Sequence, residues 1–171
     1  IQLAVATGAE VYVTVSTAEK KSACEALGAK CAINYLDEDF VEVIKQLTGG
    51  RGVDVILDIV GDEYTARNLS ILATEGRLVQ IALLAGAATA QINLVTVMQK
   101  RLTITGSTLR PRSVELKHEI AKTLEALVWP LLDEGKLRPI IQQTFVLADA
   151  VKAHEIMEAN QTIGKLILTM E

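Results

Sequence analysis

The stretch VYVTVSTAEKKSACEALGAKCAINY, Val11 to Tyr35, decides the fold. Val11–Val15 is rich in β-branched residues and reads as a buried strand. Ser16 and Thr17 form a polar turn, with Thr17 placed as the N-cap of a helix over 18–27 that Gly28 closes. A second strand, Ala32–Asn34, leads to Tyr35. Strand, helix and strand in this order form the unit from which a parallel α/β sheet is wound. In a dinucleotide-binding domain the tip of such a strand meets the adenosine ribose. An acidic residue there bonds a free 2′-hydroxyl, whereas basic and hydroxyl groups suit a 2′-phosphate. Here the tip carries Ser16, Thr17 and, one helical step on, Lys20, a pattern that favours NADP(H) over NAD(H) in a dinucleotide binder. No glycine-rich turn precedes the strand.

The alternation continues outward from this stretch. Asp37, Glu38 and Asp39 open a helix over about 38–47, their charges complementing its positive end. Val53–Val60, VDVILDIV, is a near-continuous apolar run expected of a central parallel strand buried on both faces. A helix over Tyr64–Leu72 follows, and Gly76 precedes a strand over Arg77–Ala82. Gly86 to Asn93 is a small-residue loop, leading to a helix at about 94–100 and a strand over Leu102–Ser107. LRPRS, 109–113, is a basic connector. Val114–Asp133 carries an amphipathic helix that Pro130 must end or kink. An extended segment near Ile140–Val146, a helix through Met157–Ala159 and a last strand over Gly164–Met170 complete the chain. The expectation is a Rossmann-like α/β fold: three layers, a doubly wound, mostly parallel sheet, and one domain over residues 1–171.

Composition narrows the function classes. Half of the 171 residues are hydrophobic and only 4% are aromatic, as suits an aliphatic sheet covered by helices. A formal charge of −4 and a pI near 5.3 argue against a nucleic-acid partner. Cys24 and Cys31 lie in no ligand pattern, and His118 and His154 pair with no cysteine at ligand spacing, so no metal site is expected. The cysteine usage points to the reducing cytoplasm. No apolar run approaches the ~20 residues of a membrane span, so no membrane partner is expected. IQLAVATGAE reads as the second half of an amphipathic helix whose apolar face is Ile1, Leu3, Ala4 and Val5, with Gly8 just past its end. A helix entered halfway suggests that the N-terminal part of a longer protein is missing.

Several segments resemble one family in order and spacing: STAEK (16–20), LGAKCAINY (27–35), TGGRGVDVILDIVG (48–61), GRLVQIA (76–82), KRLTITGSTLRPRS (100–113), VWPLLDEGKLRPII (128–141) and AHEIMEANQTIGKLIL (153–168). Together they resemble the cofactor-binding half of the zinc-independent quinone oxidoreductases of the medium-chain dehydrogenase/reductase superfamily. The resemblance implies NADPH as cofactor and hydride transfer to a quinone or related enone. It also implies a catalytic domain and a glycine-rich pyrophosphate turn, with the strand before it, outside this chain. The fragment alone is therefore expected to be inactive.

By the same resemblance Lys20 is the 2′-phosphate lysine, Ser16 and Thr17 are hydroxyl donors beside it, and Tyr35 flanks the same phosphate. An ammonium and hydroxyls at a helix N-terminus suit an anion physically as well, although a solvated helix face would also account for Lys20. Val60, at the end of the central strand, passes near the cofactor; Gln80, Ile81, Ala82 and Leu83 lie along the nicotinamide, where Leu83 and Leu84 depart from the family's glycine and polar residues. Asn160 matches a family residue near the cofactor and equally suits a helix C-terminus. No catalytic residue is assigned to this chain. Asp58 is expected to bond a neighbouring loop; Arg110 and Arg112 could bind phosphate or an acidic partner, although a solvated loop anchored by Pro111 is the favoured reading. The strand at 102–107 is the expected homodimer edge, since it carries no Pro or inward charge to guard it. Two rival readings stand beside the leading one: a degenerate Rossmann module for dimerisation or dinucleotide sensing, and an enoyl or alkenal reductase of the same superfamily.

Overall fold

The computed structural model describes residues 1–86 and 91–170; the stretch 87–90 within the small-residue loop lies outside the described residues. In chain order the elements are α1 (Gln2–Ala6), β1 (Tyr12–Val15), α2 (Ala18–Ala26), β2 (Cys31–Asn34), α3 (Phe40–Leu47), β3 (Val53–Asp58), α4 (Glu63–Ile71), β4 (Leu72–Gln80), α5 (Leu94–Lys100), β5 (Thr103–Gly106), α6 (Val114–Leu127), α7 (Trp129–Asp133), β6 (Ile141–Val146) and, after a 3-10 turn at Leu147–Asp149, α8 (Ala150–Glu158) and β7 (Lys165–Thr169). The α/β class and the parallel pairing expected from the sequence are both present. The strands hydrogen-bond in three groups, β1-β2, β3-β4-β5 and β6-β7. β3 with β4, β4 with β5 and β6 with β7 run parallel. The residues cluster into two compact units, residues 1–32 with those from Glu119 onward, and Ile33–His118.

In the first unit, Thr17 caps α2, its Oγ1 accepting from the Lys20 N–H at 3.2 Å. Gly28 takes a φ of +97° beyond the helix end, a conformation that costs glycine nothing. Pro130 does end the long helix. α6 stops at Leu127 and α7 begins at Trp129 with the proline in its first turn, where its missing N–H would have had no partner anyway. The apolar face expected of the opening helix is not buried: Leu3 and Val5 are exposed. What fixes α1 is polar, a reciprocal pair in which Gln2 Nε2 donates to Arg138 O and Arg138 N donates to Gln2 Oε1, both at 3.0 Å.

The second unit holds the three-stranded sheet. Leu69, Leu72 and Leu78 form its core, with Val53, Ile56 and Leu102 packed against them. Leu72 and Leu78 are wholly buried, each contributing about 2 kcal/mol by transfer from water. Two expectations need correction. β4 begins at Leu72, so Gly76 lies inside it and not before it. The pairing explains this: Val53 faces Leu72 but Val55 faces Arg77, so residues 73–76 bulge, with Glu75 at φ +65° turning the chain back into register. β3 is also not buried on both faces. It lies at one end of its sheet, and Val55 and Leu57 are 55% and 67% exposed, because no described element covers the face they share. The opposite face, with Ile56 and Asp58, packs on the core.

Candidate functional site

In the first unit, β1 delivers Ser16 and Thr17 to its carboxyl end, and the capped first turn of α2 presents Lys20. The Lys20 ammonium donates to the carbonyl of Asn160 at 2.7 Å and lies 3.4 Å from Ser16 Oγ. Asn160 follows α8 with a φ of +53°, the left-handed geometry that ends a helix. The helix-end reading of Asn160 is the one observed, and the turn that ends α8 aims its carbonyl at Lys20. The ammonium's hydrogen-bond partners are neutral oxygens, and no ion pair with a described carboxylate offsets its charge. Glu19, exposed beside it, has its carboxyl held below the usual carboxylate range by its own backbone N–H and by the Thr17 hydroxyl. An ammonium with spare donor capacity, two hydroxyls and a helix N-terminus form a donor set that fits an anion.

In the second unit, Tyr35 follows β2 and is 41% exposed. The same unit holds an aromatic and cationic group around Tyr64, whose ring stacks on Phe40 with centroids 5.3 Å apart. The Arg67 guanidinium lies 4.2 Å from the Phe40 centroid and donates to Asp39 Oδ1 at 2.8 Å. Burial pushes the Tyr64 hydroxyl's pKa up, Arg67 opposes the shift, and Tyr35 and Asp58 add to it.

Val60 and the 81–83 segment meet at the carboxyl ends of β3 and β4, where ligands of wound α/β sheets lie. Asp58 organises the junction. It is 3% exposed, and its Oδ1 accepts from Val60 N at 2.6 Å and Gly61 N at 3.1 Å, a structural role as expected, but within its own turn and not to a neighbouring loop. The two loops are then laced together by Ile81 N to Asp58 O at 2.9 Å, Leu84 N to Ile59 O at 2.9 Å and Ala85 N to Val60 O at 3.1 Å. Asp58 Oδ2 is buried with no partner among the described residues.

Gln80 was expected only as the first residue of the segment along the nicotinamide, with no role of its own. Its Nε2 donates to Asp58 O at 3.2 Å and to Ala82 O at 2.6 Å, fixing the 80–82 backbone. With those bonds made, the N–H groups of Ala82 and Leu83 have no hydrogen-bond partner among the described residues. A cleft of about 500 Å³ opens here, lined by Gln80, Ile81, Ala82 and Leu83 on one side and Gly106, Ser107, Thr108 and Arg112 on the other. Arg112, expected to be solvated, is exposed and yet lines this cleft. The signal for it was its closeness to the end of a strand that itself ends at the ligand-binding edge.

Among the described residues no group of three His, Cys, Asp or Glu side chains could hold a metal ion, and Cys24 and Cys31 are free thiols. No helix among them is long and apolar enough to cross a membrane.

Comparison with known proteins places this geometry in a family. Residues 1–129 match the family model described as zinc-binding dehydrogenase. Quinone oxidoreductase 1 of Escherichia coli is 35% identical over 170 residues, covering 98% of this chain and 51% of that protein. A 2-haloacrylate reductase of a Burkholderia species is 32% identical over 166 residues, covering 94% and 48%. The crystal structure of the E. coli quinone oxidoreductase complexed with NADPH superposes with a TM-score of 0.80 at 35% identity, over 98% of this chain and 51% of that one. The chain thus spans about half the length of the relatives it matches. Its Rossmann-like fold and its likeness to quinone oxidoreductases are those the sequence segments led us to expect. On the match across its first 129 residues, the chain belongs to the zinc-binding dehydrogenase family.

Proposed function

We propose that residues 1–171 form the dinucleotide-binding domain of an NADPH-dependent oxidoreductase that passes hydride to a quinone or a related electron-poor enone. The observation that carries the reading is the Lys20 ammonium, held between Asn160 O at 2.7 Å and Ser16 Oγ with no described carboxylate to neutralise it. That donor set fits a 2′-phosphate, and the absence of an acid at Ser16 removes the usual partner of a free 2′-hydroxyl. When bound, NADPH supplies the hydride.

Lys20 and Ser16 would hold the phosphate, and Thr17 would fix the helix turn that presents Lys20. Asn160 would orient the ammonium, and Tyr35 would flank the phosphate. Val60, Ile81, Ala82 and Leu83 would shape an apolar wall for the nicotinamide and exclude water from it. The carboxamide contacts that Leu83 and Leu84 cannot make with side chains fall to the open N–H groups of Ala82 and Leu83. The segments that resemble the zinc-independent quinone oxidoreductases support assigning the protein to those members of its superfamily. Free Cys24 and Cys31 accord with a reducing cytoplasm. β5 ends its sheet with every residue exposed, and a homodimer pairing through this edge belongs to the same proposal.

Reduction of an activated alkene is the second reading, favoured by the 2-haloacrylate reductase relative. The test is consumption of NADPH and of NADH by the protein that carries this chain, with a panel of quinones, enones and enoates. Preferential NADPH consumption with quinones supports the proposal. Consumption with enoates alone selects the second reading, and no consumption with any acceptor refutes both.

A further inference from the structure

We propose that Arg112 selects substrates bearing a carboxylate, so that the cleft between the ends of β4 and β5 takes a small α,β-unsaturated acid. The inference rests on the reading of residues 80–83 as the nicotinamide wall, and it names the substrate class that this wall would face. Ile81, Ala82 and Leu83 give the cleft an apolar side, and Gln80 is committed through its amide nitrogen to two backbone carbonyls. Across from them stand Ser107, Thr108 and Arg112.

Arg112 is the one charged side chain among the described residues lining the cleft. Its Nε donates to Thr108 O at 3.0 Å, which fixes the root of the guanidinium within the cleft wall. The terminal nitrogens make no hydrogen bond or ion pair with any described residue. Arg110 differs: it does not line the cleft, although its carbonyl accepts from Lys117 Nζ at 2.9 Å. A planar fork anchored at one nitrogen and open at two matches a carboxylate in bidentate geometry. The apolar wall opposite suits a short hydrocarbon body. Pairing with the guanidinium would also offset the negative charge that makes an enoate a poorer hydride acceptor than an enone.

The test uses the protein that carries this chain, saturated with NADP+, and measures binding of crotonate and of methyl crotonate by calorimetry. Crotonate should bind more tightly than its ester, and less tightly as salt rises, because an exposed pair is screened. Arg112→Gln should weaken crotonate on the order of tenfold with the ester unchanged. Arg112→Lys should fall between, keeping the charge without the fork, and Arg110→Gln should leave the acid-to-ester ratio as it was. Equal losses for acid and ester, or no preference for the acid in the unaltered protein, would overturn the inference. So would an Arg112→Gln loss of NADPH affinity as large as the loss of crotonate affinity, which would assign Arg112 to the cofactor. If the unaltered protein neither binds NADPH nor reduces quinones, the functional reading fails and this inference with it. If it does both but shows no acid preference, this inference fails alone.

Discussion

Replacing Asp58 by Ala is the most informative perturbation of the β3–β4 junction. The side chain is 3% exposed, and its Oδ1 accepts from two successive backbone N–H groups, Val60 at 2.6 Å and Gly61 at 3.1 Å. Two effects oppose each other. Removing the carboxylate relieves the cost of burying a charge whose Oδ2 has no partner, which favours the variant. It also orphans both amides, each at about 1–3 kcal/mol when water cannot reach them. Gly61 is buried and Val60 half-buried, so the orphaned amides should outweigh the relief, with a net loss of about 3 kcal/mol.

Asp58→Asn keeps an acceptor at Oδ1 and gives up only the charge assistance, so its loss should be about 1 kcal/mol. Urea unfolding of the two variants and the parent measures both losses. Hydrogen exchange should locate them, with Val60, Gly61, Leu84 and Ala85 accelerated and the core strand at Leu78 less affected. A loss for Asp58→Ala below about 1 kcal/mol would refute the reasoning, as would an Asn variant equal to the Ala variant, because then accepting from those amides is not what the carboxylate contributes.

Three further outcomes follow from the geometry. Gly61 has φ +75°, and a Cβ built there meets Leu83 Cδ2 at 2.5 Å. Gly61→Ala should cost about 1–2 kcal/mol from the left-handed backbone plus the displacement of Leu83; adding Leu83→Ala should restore only the second part, as thermal melting would report. Asp39 caps α3 through Val41 N at 2.9 Å, and that bond first, then Arg67, hold its carboxyl below the ordinary 3.8. A depressed folded-state pKa stabilises fully above the ordinary value and is lost as pH falls through the lower one. An acid titration of stability should therefore show a loss below pH 3.8 that shrinks in Asp39→Asn. Finally, light scattering at micromolar concentration should give a dimer mass for the full protein and a monomer for Ile104→Pro, whose N–H faces away from β4 on the β5 edge; a parent monomer would contradict the edge pairing.

Local chemistry was legible wherever a residue type has one structural use. Thr17 as a cap, Gly28 after a helix and Pro130 at a helix break each follow from backbone chemistry alone, and each stands where that chemistry puts it. VDVILDIV was legible as a strand suited to burial on both faces. A sequence pattern reports what a strand can bury and not what covers it, and Val55 and Leu57 are uncovered here. The early start of β4 was not legible, since a bulge closed by Glu75 at positive φ breaks the usual preference for glycine. The Lys20–Asn160 contact spans 140 residues, beyond any periodicity argument; Lys20 came to notice from its place past the strand tip, and the link of Asn160 to the cofactor came only from the family resemblance. Gln80 and Arg112 were both noticed without the place the structure gives them: one as part of a segment along the nicotinamide, the other as a loop charge for which solvation was favoured over an anion site. What gives each its place is the shared end of two parallel strands.

The central claim is that Lys20 reads the 2′-phosphate, and one comparison tests it most directly: dissociation constants of NADPH and NADH for the full protein and for its Lys20→Ala variant. The account predicts that the parent prefers NADPH and that the variant loses on the order of tenfold or more in NADPH affinity while NADH binding stays where it was. Equal weakening of both cofactors, or a parent that binds NADH as well as NADPH, would contradict it.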